Sequence, residues 1–144
     1  MRVGIAGYGV VGKTRHISIE KNTSFQIIAV SESNEETQKD IPAGIEIFDT
    51  YQDLLANTQL DIIFISLPNK LAAEATSLSL QKGLHVFCEK PPARTLSELT
   101  SVQAILSKHP NLKLMYGFNH RFHLSVEEAK LIIDKNTLGK IINM

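Results

Sequence analysis

Val3-Gly4-Ile5-Ala6-Gly7-Tyr8-Gly9-Val10-Val11-Gly12 joins a short apolar run to the spacing Gly-x-Gly-x-x-Gly. This spacing is typical of the turn between the first strand and the first helix of a dinucleotide-binding unit. Gly7 permits the tight turn, Gly9 lets the backbone approach a pyrophosphate, and Gly12 lets the helix pack closely on the strand. Free N–H groups from about Val10 would then point at the phosphates. The stretch predicts a nicotinamide or flavin cofactor, although glycine-rich turns also connect strands and helices that bind nothing.

An acidic residue after the next apolar run supports the dinucleotide interpretation. Gln26 to Val30 is expected to form a second buried strand, and Glu32 follows it about 20 residues after Gly12. A carboxylate there can accept hydrogen bonds from the adenosine ribose hydroxyls and would repel the additional phosphate of NADP, which favours NAD. The alternative is a solvated residue in a polar loop spanning 31–38. Three residues of that loop carry groups that would hydrogen-bond a phosphate: Ser31, Ser33 and Asn34.

Composition limits the classes of protein that the chain can represent. Its 144 residues are 43% hydrophobic and carry no formal net charge, which predicts one soluble domain. Basic and acidic residues, 15 of each, are interspersed, so no nucleic-acid surface is expected. Cys88 is the single cysteine, which excludes an internal disulfide; on an apolar strand it is expected to be a buried structural thiol, and no metal site is predicted. With no apolar stretch long enough for a signal peptide or a membrane span, we expect a cytoplasmic protein without membrane contact.

Short apolar runs alternate with longer amphipathic ones, which predicts an α/β fold with a doubly wound parallel sheet. Right-handed crossovers would place six strands in the order 3-2-1-4-5-6 of a Rossmann fold. The strands are predicted at 2–6, 26–30, 46–48, 61–66, 85–88 and 112–116. Helices are predicted from about Val10, from Asp49 or Thr50 as cap through Leu55, from Asn69 as cap through Lys82, and from Thr95 as cap through Ser107.

In such a sheet a ligand lies beyond the carboxyl ends of the strands, so residues just after each apolar run are candidates for a site. Ile65-Ser66-Leu67-Pro68-Asn69 ends the fourth strand, where Pro68 fixes the backbone and Asn69 either caps the helix or contacts a cofactor.

A second candidate is Phe87-Cys88-Glu89-Lys90-Pro91-Pro92, where an acid and a base follow a buried strand and precede two prolines. Lys90 is suited to exchange a proton with a substrate hydroxyl, with burial favouring its uncharged form and Glu89 available as a hydrogen-bond partner. The alternative is a surface ion pair in a rigid loop.

These elements together resemble the Gfo/Idh/MocA family of NAD(P)-dependent oxidoreductases, which is related to glucose-fructose oxidoreductase and inositol dehydrogenase. The segments that carry the resemblance are the glycine turn with His16, then Glu32, Leu67-Pro68-Asn69, Gly83-Leu84-His85-Val86-Phe87-Cys88-Glu89-Lys90-Pro91, Tyr116-Gly117-Phe118-Asn119-His120-Arg121-Phe122 and Leu138-Gly139-Lys140-Ile141. The resemblance spans nearly the whole chain. The Glu-Lys-Pro element preceded by Gly-x-His-Val is more specific than the glycine motif.

The resemblance implies a dehydrogenase that transfers hydride between nicotinamide and a secondary alcohol of a sugar, cyclitol or nucleotide sugar. It makes Lys90 the catalytic candidate, beside a histidine from a second domain, and suggests a cis Lys90-Pro91 bond. Asn119 and Arg121 would line the nicotinamide pocket or brace the junction between domains. The cofactor residues that it implies are Gly7, Tyr8, Gly9, Val10, Val11, Gly12, Glu32, Ser66, Leu67, Pro68, Asn69, Glu89, Lys90, Asn119 and Arg121.

Two departures from the family pattern limit what the resemblance implies about catalysis. Lys70-Leu71-Ala72-Ala73 stands where relatives commonly carry a histidine, and family members continue for roughly another domain. We therefore expect a dinucleotide-binding domain at 1–118 and, at 119–144, a linker helix and the start of a substrate domain. The alternative function is a dinucleotide-binding module without catalysis of its own. An apolar helix at 125–135 and an apolar strand at 141–144 predict a homo-oligomer.

Overall fold

In a computed structural model that describes residues 1–140 and 142, these residues form a parallel sheet with the order 3-2-1-4-5-6, as the sequence predicts. Every neighbouring pair of strands runs parallel, so all carboxyl ends lie at one edge of the sheet. The strands are β1 (Arg2–Ala6), β2 (Gln26–Ser31), β3 (Glu46–Phe48), β4 (Ile62–Ile65), β5 (His85–Cys88) and β6 (Leu114–Tyr116).

Helices connect the strands and cover both faces of the sheet. Val3 and Ile5 of β1 pack with Ile19 against the first helix, while Ala6 of the same strand packs with Leu54 on the opposite face. This alternation follows from the two-residue period of a strand. The helices are α1 (Val10–Glu20), α2 (Glu35–Gln38), α3 (Tyr51–Asn57), α4 (Asn69–Gln81), α5 (Leu96–Leu106) and α6 (Leu124–Asp134), with a 3₁₀ helix at Asn119–Phe122.

Strands β2 and β4 and helix α3 differ from the sequence prediction by one or two residues at an end, and three other elements differ in ways that have a physical cause. The polar loop after β2 contains α2, which begins because the Asn34 side chain accepts a hydrogen bond from the Thr37 N–H (3.0 Å). Strand β6 begins two residues late because the Lys113 N–H donates to Nδ1 of His85 (3.0 Å) rather than extending the ladder. The 3₁₀ helix at Asn119–Phe122 was not predicted.

The helix caps are mostly as predicted. Thr50 and Thr95 each accept a hydrogen bond from the backbone N–H three residues on, which settles the choice between Asp49 and Thr50. The predicted cap by Asn69 is wrong: Pro68 occupies the cap position and α4 begins at Asn69, whose side chain makes no capping bond. Proline fixes φ at a value suited to this position, so the helix starts without a polar cap.

Helix α6 lies on the surface, and its apolar residues Leu124, Leu131 and Ile133 are exposed. Of the strand predicted at 141–144, residues 141, 143 and 144 lie outside the described residues, and Ile142 is exposed. Self-association through this helix stays a prediction. None of the helices described is both long and apolar enough to span a membrane.

Candidate functional site

The glycine turn has the geometry that its sequence predicts. Gly7 has φ +86, and a Cβ on it would meet the Ser66 carbonyl oxygen at 2.7 Å. A Cβ on Gly12 would overlap the Gly7 carbonyl oxygen, so α1 packs against β1 as closely as glycine allows. Gly9 differs from both, because nothing lies within 4 Å of a Cβ placed there. That open space is where a pyrophosphate would approach the backbone.

The Glu32 carboxylate connects the end of β2 to this turn. Its Oε2 accepts a hydrogen bond from the Tyr8 N–H (2.8 Å), and its Oε1 accepts one from the Asn34 N–H (3.0 Å). A carboxylate offers about four acceptor positions, so further donors such as two ribose hydroxyls can still be accommodated. The Asn34 side chain is committed to capping α2.

The amino terminus of α1 favours an anion. Gly9 is the cap residue without a side-chain hydrogen bond, and the first turn contains no acidic residue. The first N–H groups of a helix have no partner within the helix, and its dipole places partial positive charge there. An incoming phosphate would therefore find donors and a favourable potential.

A cleft of about 570 Å³ opens beside the turn at the carboxyl ends of the strands. Part of its lining was predicted from the sequence: Gly7, Gly9, Glu32, Ser66, Leu67 and Pro68. The Ser66 hydroxyl is buried and has no hydrogen-bond partner in residues 1–140 and 142. Ser31 and Ser33, which the sequence offers as donors to a phosphate, also line it. The remaining lining residues were not predicted as cofactor residues, and they are Asp49, Thr50, Tyr51, Gln52, Lys70 and Leu71. Residues 49–52 follow β3, so the same rule of strand ends would have found them.

Several predicted cofactor residues do not line this cleft. The Tyr8 side chain is buried beneath the turn, where its hydroxyl hydrogen-bonds with Nδ1 of His16 (2.8 Å), so Tyr8 faces the cleft side only through its backbone. Nε2 of His16 lies 3.2 Å from the Glu20 carboxylate. Val10 and Val11 are exposed at the start of α1. Asn69 is exposed at the start of α4.

A second cluster lies at the carboxyl ends of β5 and β6. The Nε of Arg15 donates to Oε1 of Glu89 (2.6 Å), and its Nη2 contacts the same oxygen. The Arg15 guanidinium lies 4.9 Å from the centre of the Phe87 ring and donates from Nη2 to Oδ1 of Asn119 (3.3 Å). The Arg15 and Glu89 side chains are 19% and 11% exposed, so solvent screens this ion pair weakly. Arg15 was not predicted as a site residue, because the sequence around a charged residue in a helix does not indicate an ion-pair partner 74 positions away.

Two further residues complete the surroundings of this cluster. Gly117 is buried against Glu89, and a Cβ on it would lie 2.8 Å from Oε2 of the carboxylate. Arg121 is exposed and makes no ion pair within residues 1–140 and 142. The structure thus brings Glu89 and Asn119 together through Arg15, and leaves Arg121 apart from them.

Lys90 differs from its prediction in one respect. The Lys90-Pro91 bond is cis, as expected. The expected burial of its side chain is wrong, because Lys90 is exposed and its ammonium group makes no ion pair in the described part of the chain. Its backbone N–H is 3.4 Å from Oε2 of Glu89. Lys90 lies two residues after β5 ends, so the expected position at the mouth of the sheet agrees with the structure while the expected burial does not.

The residue before Glu89 is the buried thiol that the sequence predicts. Cys88 has no exposed surface, and its Sγ lies 3.4 Å from the Glu89 carbonyl oxygen. Burial raises the pKa of the Cys88 thiol to about 11, which keeps it protonated at neutral pH. Cys88 therefore supports the second cluster by packing rather than by chemistry.

Residues 1–118 match the family described as "Oxidoreductase family, NAD-binding Rossmann fold". This range includes the cleft beside the glycine turn and the Arg15–Glu89 ion pair, but not Asn119. The chain belongs to this Gfo/Idh/MocA family. The resemblance predicted from the glycine turn and the Glu-Lys-Pro element is thereby confirmed, as is the Rossmann fold.

Several proteins that are similar to this chain are named as dehydrogenases. D-glucoside 3-dehydrogenase of Escherichia coli (strain K12) is 28% identical, with 98% of this chain and 41% of that protein aligned. D-xylose 1-dehydrogenase (NADP(+)) 2 of Haloferax volcanii is also 28% identical, with 99% and 43% aligned. The crystal structure of scyllo-inositol dehydrogenase from Lactobacillus casei, with bound NAD(H) and scyllo-inositol, matches with a TM-score of 0.89 at 28% identity and covers 98% of this chain and 43% of that one. The chain thus spans about two-fifths of the length of these relatives.

Proposed function

We propose that this chain is the cofactor-binding portion of an NAD-dependent oxidoreductase that transfers hydride between nicotinamide and a secondary alcohol of a sugar, cyclitol or nucleotide sugar. One observation carries the proposal. The glycine turn and the Glu32 carboxylate are joined by the hydrogen bond from the Tyr8 N–H, and both face one cleft. A solvated loop carboxylate would have no reason to be fixed on the turn.

The cofactor residues divide between the two ends of the site. The backbone from Gly7 to Gly12, which includes Tyr8, Val10 and Val11, would hold the pyrophosphate at the amino terminus of α1. Glu32 would hold the adenosine ribose, with Ser66, Leu67 and Pro68 along the cleft wall. The nicotinamide end would lie near Asn69, Glu89, Lys90, Asn119 and Arg121. Gly9 supports the fit, because the space beside it is free for a phosphate.

Lys90 is proposed as the catalytic residue. NAD, when bound, supplies the acceptor for hydride. The Lys90 side chain, exposed at the end of β5, would in its uncharged amine form accept a hydrogen bond from the hydroxyl being oxidised. It would take that proton and become an ammonium group as hydride leaves the same carbon for the cofactor. The family resemblance implies that a histidine from a second domain assists it.

A matched pair of variants tests this role. In a form of the protein that turns over an inositol or a glucoside, Lys90→Met should abolish NADH formation while NADH affinity changes less than about threefold, because only the proton transfer is lost. Lys82→Met, at the exposed end of α4, is the control. Unchanged turnover in Lys90→Met would refute the catalytic assignment.

The preference for NAD rests on Glu32, whose charge would repel the 2′-phosphate of NADP. Titration of the chain with NADH and NADPH should show tighter binding of NADH. Glu32→Gln keeps hydrogen-bonding capacity without the charge, so it should reduce the difference between the two affinities. Tighter NADPH binding by the unaltered chain would overturn the role given to Glu32.

A second candidate is a dinucleotide-binding module without catalysis of its own. It is favoured by the exposure of Lys90, whose ammonium group makes no ion pair in the described part of the chain. NADH binding without turnover of any inositol, glucoside or aldose by this chain would support it.

Homo-oligomerisation through α6, a cytoplasmic location and the division at residue 118 accompany the proposed function. The exposed apolar residues of α6 support the first of these. Light scattering at high protein concentration should report a species larger than the monomer, and a strictly monomeric species would contradict it.

A further inference from the structure

We propose that Arg15 is a positioning residue that holds the Glu89 carboxylate away from the Lys90 ammonium group. This role rests on the proposed function only for the task given to Lys90, and it depends on the arrangement of three charges. Adjacent acid and base side chains in a loop would ordinarily be free to pair with each other. Here the carboxylate is bound by an arginine from another element, and the lysine is left without an ion pair in the described residues.

Both oxygen atoms of Glu89 have partners other than the Lys90 side chain. Oε1 accepts from the Arg15 guanidinium, and Oε2 lies 3.4 Å from the Lys90 backbone N–H. A guanidinium is planar and charged at all ordinary pH values, so it competes well with an exposed ammonium group for a weakly solvated carboxylate. Glu89 is therefore kept inside the protein while Lys90 extends outward.

The guanidinium itself is fixed on two further sides. It stacks over the Phe87 ring at 4.9 Å, and that ring stacks on Phe64 with 5.2 Å between ring centres. Its Nη2 also donates to Asn119 at the end of β6. These contacts restrict the rotamers of Arg15, so less conformational entropy is lost in binding Glu89.

Gly117 leaves the space that the carboxylate occupies. Its Cα lies against Glu89, with room for no methyl group between them. Since Arg15 belongs to α1, the helix that begins at the glycine turn, the cofactor helix and the lysine loop share one ionic contact. Arg15 thus orients Lys90 indirectly, by removing its nearest competing anion.

The test measures how fast Lys90 is reductively methylated, with Lys70 as an internal reference in the same digest. Only the uncharged amine reacts, so a nearby free carboxylate slows the reaction by favouring the ammonium form. Arg15→Met should lower the relative rate at Lys90 by about fivefold, the size of effect expected for one exposed ion pair. Adding Glu89→Gln to Arg15→Met should restore the rate to within about twofold of the unaltered chain, because the released charge is gone.

Two outcomes would overturn the proposal: an unchanged rate in Arg15→Met, or a slow rate that persists in the double variant. The second outcome would indicate simple structural damage. If Arg15→Met does not fold, Arg15→Lys serves instead, since a point charge without the planar fork should give a smaller decrease that Glu89→Gln again reverses. The methylation rate does not depend on turnover. A failed catalytic role for Lys90 would therefore appear in the Lys90→Met assay and leave this measurement unaffected.

Discussion

The two ends of the candidate site are built in different ways. At the turn end, the cleft is lined by glycine backbone and the Glu32 carboxylate, together with residues that follow β3 and β4. At the lysine end, side chains from α1, from β5 and from the 3₁₀ helix after β6 meet through an arginine, an aromatic ring and an amide. The first end depends on backbone that cannot give way, and the second on side chains that can.

Glycine substitutions distinguish the two ends. A methyl group at Gly12 would meet the Gly7 carbonyl, which is fixed in the turn. A methyl group at Gly117 would meet a carboxylate at the end of a flexible side chain. The same chemical change should therefore be severe at one end and mild at the other.

The largest effect is expected at the turn. Gly12→Ala should destabilise the protein by about 3 kcal/mol, since overpacking against fixed backbone separates α1 from β1. NADH affinity should fall more than about 100-fold, as the phosphate-binding N–H groups move with the helix. Thermal unfolding and a fluorescence titration measure the two effects.

Gly9→Ala is the matched control, because its methyl group would meet no protein atom and its φ of −63 suits alanine. Its stability should change by less than about 1 kcal/mol while NADH binding weakens. A Gly12→Ala variant as stable as Gly9→Ala would contradict the rigidity assigned to the turn.

The next effect is a slow reaction of the Cys88 thiol, which is buried at the last residue of β5, just before Glu89 and Lys90. With the pKa of its thiol raised to about 11 from a reference value of 9.0, its thiolate population at pH 8 is about 100-fold smaller than that of an unperturbed cysteine. Alkylation by iodoacetamide should be slower than in a short peptide by at least that factor. The same reaction in denaturant provides the control, and equal rates would show that the lysine end opens readily.

A smaller effect is expected for Gly117→Ala. Because the added methyl group displaces only the Glu89 carboxylate, the loss of stability should be about 1 kcal/mol. The loss should shrink when the variant also carries Glu89→Ala, which removes the clashing group. Equal losses with and without Glu89 would place the strain in the backbone instead.

The smallest effect on stability is expected at the amino ends of β1 and β4, away from the candidate site at the carboxyl ends. Hydrogen bonds from Arg2 lower the pKa of the exposed Asp61 carboxyl. The ionised Asp61 carboxylate therefore stabilises the folded protein at pH values above the ordinary carboxyl pKa. This stabilisation is lost as the pH falls through the lowered pKa of the folded state. The difference in thermal stability between the unaltered chain and Asp61→Asn should vanish in acid, and a difference that grew in acid would reverse this sign.

The sheet and the turn end were predictable because local pattern determines them. Apolar runs predicted β1, β3 and β5 to the residue, and the glycine spacing with Glu32 predicted residues that line one cleft. Helix α2 was missed because its single turn is held by an Asn34 cap within a polar segment. The start of β6 was displaced by a distant histidine ring, which no local pattern reveals.

The lysine end was predictable only in part. Glu89 and Lys90 stood out as charges beside prolines, but the partner of Glu89 is on the first helix. Helical periodicity gives Arg15 no special place, since a charge on an exposed face usually reaches solvent. Side-chain pairs across the sheet depend on tertiary packing, so burial of Lys90 was expected where the structure exposes it.

The hydrogen bond between the Tyr8 N–H and Glu32 has a consequence for amide exchange with solvent. The Tyr8 amide is already bonded in the free protein, so a bound dinucleotide would add little to its protection. Val10 and Val11, two and three residues further along, are the first residues of α1, so their amides have no partner within the helix. We expect them to exchange rapidly in the free protein and slowly with an anion bound. Within one turn, protection of the Tyr8 amide would therefore report folding, whereas protection of the Val10 and Val11 amides would report binding of the dinucleotide.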